Sequence, residues 1–85
     1  MKCLVHKPMY ESNFRKYINV QINSQILQLK IPFRYGRVMC RMGGLKTVHE
    51  FKEGDIVHVE FSKKVWDGIE FLVLDYISEC SPGTD

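Results

Sequence analysis

Eighty-five residues suffice for one domain, and a chain of that length buries only about 60–65% of the surface its unfolded form exposes. An apolar fraction of 45% excludes a wholly disordered chain, and no apolar run approaches the roughly 18–20 residues of a membrane-spanning helix. The formal charge of +2 conceals a segregation: residues 1–49 carry nine Lys/Arg and one acid, net +8, whereas residues 50–85 carry three Lys and nine acids, net −6. A basic first half points to a surface for nucleic acid or another polyanion. The competing reading is that basic and acidic strands lie side by side and neutralise each other.

Residues 1–16 form an N-terminal extension open to two readings. "KCLVH" suits an added strand, and "YESNFRKY" suits a helical turn capped by Ser12 or Asn13. His6 and Pro8 break up any hydrophobic centre, so the segment does not read as a signal peptide, and the expectation is an intracellular protein, cytoplasmic or nuclear and not secreted. "YINVQI" then alternates, with Ile18, Val20 and Ile22 on one face. After the turn "NSQ", the stretch "ILQLKIPFRY" places Leu27, Leu29, Ile31, Phe33 and Tyr35 together, with Pro32 marking an edge, a bulge or a strand end. "RVMCRM" predicts a third strand with Val38, Cys40 and Met42 inward and Arg37, Met39 and Arg41 outward. The breaker-rich "GGLKTVHEFKEG" has room for one helical turn. "DIVHVEF" and "EFLVLDYI" complete the set, with Val57, Val59, Phe61, Leu72, Leu74 and Tyr76 inward and "SKKVWDGI" as the connecting loop. The tail, residues 78–85, has the composition of a flexible terminus.

Five strands of six to eight residues across 17–77 predict an all-β domain, and a short meander manages its edges most economically by closing into a small barrel. A connector only between the third and fourth strands, with "FKEGD" leading into "IVHVEF" and a basic loop before "FLVLDYI", resembles the OB-fold domains that bind single-stranded nucleic acid. A Gly-Asp entry of this kind also occurs in SH3-like barrels, the alternative fold, and the connector is shorter than the helix OB domains carry. The resemblance implies that the second and third strands and their flanking loops form a binding face. On that mapping Lys30, Arg34, Arg37 and Arg41 would track phosphates, joined by Lys63 and Lys64, and Tyr17, Trp66 and Tyr35 would stack on bases. Trp66 has a plainer reading as well, folding back to cover a barrel end.

Other constellations are thinner. Cys3 and His6 have the spacing of half a zinc site, but Cys40, His49, His58 and Cys80 stand alone, so no metal and no cofactor is expected, and the cysteines read as free thiols. His49 beside Glu50 is the one hint of a ribonuclease-like pair. Gly43 and Gly44 lack the Lys-Ser/Thr that follows a phosphate-binding loop. The reading is therefore a non-enzymatic module for single-stranded DNA or RNA. Its rival is a protein-interaction module, a subunit or inhibitor docking through the acidic second half. The size alone would suit a phage, viral or plasmid accessory protein, and a homo-oligomer would add buried area.

Overall fold

Cys3 and Val5 alternate with Lys2, Leu4 and His6, and this short apolar rhythm is enough to start a strand that the rest of the N-terminal segment continues. In the computed structural model, which describes residues 1–44 and 46–80, β1 runs Lys2–Ser12 and is followed by β2 (Arg15–Ile22) and β3 (Gln25–Ile31). Pro32 ends β3, and a two-residue hairpin, β4 (Phe33–Arg34) and β5 (Arg37–Val38), stands where the longer third strand was expected. β6 (Arg41–Gly43) and a single 3-10 turn (Val48–Glu50) lead to the long pair β7 (Ile56–Trp66) and β8 (Ile69–Glu79).

β1 pairs with β2 and β7, β2 with β3, and β7 with β8, all antiparallel; a short parallel pairing of β3 with β8 closes a five-stranded barrel. This all-β closed barrel, ordered β1-β2-β3-β8-β7, is compatible with an OB-like fold. The N-terminal segment is thus the barrel's first strand, so the expected first and second strands become the second and third, while the expected fourth and fifth keep their places as β7 and β8. The second and third barrel strands are β2 and β3, not the segments 26–35 and 37–42. β6 lies alongside the far half of β8, with Arg41 opposite Tyr76.

The core is one cluster: Cys3 and Val5 from β1, Ile18 and Val20 from β2, Leu29 and Ile31 from β3, Val57 and Val59 from β7, and Leu74 and Ile77 from β8. Val48 and Phe51 are buried in the same cluster, so the 3-10 turn supplies apolar cover where a longer helix is absent. Ile77, not Tyr76, points inward. Glu60 pairs with Tyr76 and Phe61 with Leu74, so Asp75 is an extra residue in β8 and the facing pattern slips by one. The Ser62 hydroxyl donates to the Asp75 carboxylate and holds this bulge. β1 slips twice, between Val5 and Lys7 and between Lys7 and Tyr10, which lets Pro8 sit in a strand without breaking a regular ladder. The expected tail contributes Ser78 and Glu79 to β8; its residues 81–85 lie outside the described ones.

Candidate nucleic-acid interface

Outward positions of β2 and β3 carry polar, cationic and aromatic side chains because the inward positions take the apolar ones. Tyr17 lies directly across the ladder from Lys30, and Tyr10 of β1 lies across from Tyr17 with ring centroids 5.6 Å apart. The Tyr10 hydroxyl donates to Asn19 Oδ1 (2.8 Å) and accepts from Gln28 Nε2 (2.8 Å), tying three strands together on this face. The Lys7 ammonium sits 4.2 Å from the Tyr10 ring centre, and that of Lys30 sits 5.3 Å from the Phe71 ring centre.

The second wall comes from the β7–β8 hairpin. The expected loop 62–69 is mostly ladder: pairing continues from Ser62–Val73 to Trp66–Ile69, leaving only Asp67 and Gly68 as the turn. Both have positive φ (54° and 75°), the type I′ geometry whose twist matches a hairpin. Since cross-strand partners share a face, Lys64, Trp66, Ile69 and Phe71 lie on one side of the hairpin and Lys63, Val65, Glu70 and Leu72 on the other. A groove of about 520 Å³ runs between the two walls, lined by Arg15, Tyr17, Gln28 and Lys30 on one side and Trp66, Ile69, Glu70 and Phe71 on the other. Trp66 is 69% exposed, so it is not a plug over the barrel end.

A second hollow of about 440 Å³ shares Lys30 and is lined further by Pro32, Phe33, Arg34, Met39 and Val73. Of the residues singled out in the sequence, Tyr17, Lys30 and Trp66 meet in the main groove, and Lys64 shares its face of the hairpin. Arg34 reaches the neighbouring hollow, while Tyr35 and Arg37 project with it on the β4–β5 hairpin. Lys63 lies on the other hairpin face, 3.0 Å from Glu70. Arg41 is separated from the groove on β6, where it stacks over Tyr76 (5.5 Å) and faces Glu60 (3.4 Å). Arg15, Gln28, Ile69, Glu70 and Phe71 were not singled out from the sequence. Arg15 and Gln28 have the outward parity of β2 and β3 once the ladder register is known, and that parity was the available signal.

The charge segregation is partly cancelled. Arg41–Glu60, Lys46–Asp55 (3.9 Å) and Lys46–Glu79 (3.8 Å) join the basic half to the acidic half. Among the described residues, Arg15, Lys30, Arg34, Arg37 and Lys64, at or beside the two hollows, form no ion pair, and neither do Lys7 and Lys52 elsewhere on the surface. Cys3 and Cys40 are buried while His6 is exposed, and no group of three or more His, Cys, Asp or Glu among the described residues could hold a metal ion. His49 faces its own neighbour, Thr47 Oγ1 at 2.9 Å, and the same hydroxyl donates to Glu50 (3.1 Å) in an exposed turn. No helix among the described residues is long and apolar enough to cross a membrane. No family model matches the chain, and neither the curated proteins nor the solved structures contain a match to it.

Proposed function

We propose that the chain is a non-enzymatic module that binds single-stranded DNA or RNA in the groove between the β2–β3 face and the β7–β8 hairpin. The observation that carries this reading is the composition of the groove: Arg15 and Lys30, which form no ion pair, lie among the aromatic faces of Tyr17, Trp66 and Phe71, and the one carboxylate in the lining, Glu70, is paired with Lys63. Phosphates of a strand would lie along the cations in a salt-sensitive, sequence-independent way, and its bases would stack on the rings. The hydrogen bonds through Tyr10 hold the β-face rigid before any ligand arrives, which lowers the ordering cost of binding.

Fluorescence anisotropy with labelled single-stranded DNA and RNA at low salt tests the proposal directly. Saturable binding accompanied by quenching of Trp66 emission is the expected result. Absence of binding to both oligonucleotides at low salt would remove the reading. Exposed Val65, Trp66 and Ile69 at one hairpin tip favour a second reading, a protein-docking module, and that reading would gain from the negative result.

A further inference from the structure

The β4–β5 hairpin breaks three local rules at once. Arg34 and Arg37 stand directly opposite each other in the ladder, a like-charge pair that destabilises a hairpin. Neither makes an ion pair among the described residues. At the tip, Tyr35 holds φ at +54° and is 95% exposed, so a bulky ring occupies the left-handed region without packing on anything that would compensate. The base of the hairpin, by contrast, is anchored: Met39 N–H donates to Pro32 O (2.8 Å), and Phe33 and Val38 pack against the core. The Lys16 ammonium also lies 5.4 Å from the Phe33 ring centre. A firmly held stem therefore carries a tip that is unfavourable for the free protein.

We infer that this hairpin is a finger for the end of a duplex, so that the preferred ligand is a junction between paired and unpaired nucleic acid. The inference rests on the single-strand reading of the groove. Lys30 lines both the groove and the hollow at the base of the finger, so a strand leaving the groove past Lys30 meets Arg34 next. A single strand brings one row of phosphates and can stack its bases inside the groove. A terminal base pair brings a broad π surface with a phosphate backbone on either side. One exposed ring between two guanidiniums on adjacent strands matches that shape, and the flanking phosphates would relieve the repulsion between Arg34 and Arg37.

The experiment compares three labelled probes on the intact chain: a single strand, the same strand with a duplex appended to it, and the blunt duplex alone. The tailed duplex is expected to bind about tenfold more tightly than the single strand, the range that stacking of one base unit supplies. Tyr35→Asn retains a residue suited to the turn before Gly36, so it should fold at least as well as the parent by circular dichroism. This variant is expected to keep the single-strand affinity and lose the advantage of the tailed duplex. Arg37→Ala should lose part of the same advantage. Equal affinity for single strand and tailed duplex overturns the finger while leaving the groove reading intact, as does an advantage undiminished in Tyr35→Asn. Failure to bind the single strand overturns the groove reading, and the finger with it.

Discussion

Phe14 stands at φ +64° with 98% of its surface exposed, in a two-residue turn after Asn13, which is itself at +51°. An Asn-Gly pair is the favoured occupant of such a turn, and a side chain in the left-handed region costs roughly 1–2 kcal/mol. Phe14→Gly is therefore expected to stabilise the fold by about 1 kcal/mol, read as a higher urea midpoint at unchanged m-value. Trp66→Ala should do the opposite kind of thing. It leaves the midpoint nearly unchanged because the ring is mostly exposed, yet it weakens oligonucleotide binding by about 1–3 kcal/mol in an anisotropy titration. The thiols are set by burial. Cys3 is shut in the core, and desolvation raises its pKa from 9.0 to about 11; Cys40 is shifted in the same direction, also mainly by burial. Between pH 9 and 11 the unfolded chain gives up the Cys3 proton while the folded chain keeps it. Stability is thus full below pH 9 and falls as pH rises, by up to about 1.4 kcal/mol per pH unit for that group. At pH 8 a thiol reagent should label Cys80 alone in the native chain and all three cysteines in denaturant.

At the scale of elements, the strands that alternate without interruption are the ones the sequence declares. Ile18/Val20, Leu29/Ile31 and Val57/Val59 sit in the core as their spacing predicts. β1 stays hidden because its two slips disrupt the period-two rhythm on either side of Lys7, and the Asp75 bulge sends Ile77 inward in place of Tyr76 for the same reason. The segment 37–42 alternates well but is not a barrel strand, since Pro32 stops β3 and the Met39–Pro32 hydrogen bond turns the chain back on itself. Groove residues follow the same division. Tyr17 and Lys30 are legible from outward parity and residue type, and Trp66 from residue type alone, since it was expected in a loop. Phe71 has the outward parity opposite Leu72 and Leu74, but only its pairing with Lys64 places it on the groove side of the hairpin. β6 offers a sharp test of packing, because a Cβ on Gly43 would overlap Tyr76 Oη and press on Ser78 Cβ. Gly43→Ala should cost about 1–3 kcal/mol by overpacking in urea denaturation, and adding Tyr76→Phe should recover part of that loss.

For the molecule as a whole, charge governs how a strand would be held. Contacts from Arg15, Lys30 and Lys64 to three phosphates predict that log K falls against log salt with a slope near −2, at about −0.7 per phosphate on a single strand. An isothermal series between low and physiological salt checks this, and a slope near zero would point to stacking alone. Closure of the barrel has its own bearing on the site. β3 and β8 meet through only two residue pairs, Leu29–Leu72 and Lys30–Val73, so the seam is the shortest pairing in the barrel and one of its residues is the cation shared by both hollows. Anything that binds across Lys30 and Phe71 bridges the two strands that the seam joins. Opening of the seam and release of the ligand are then one linked equilibrium, and a bound oligonucleotide should slow amide hydrogen exchange at residues 29–30 and 72–73 more than at the β1–β2 ladder.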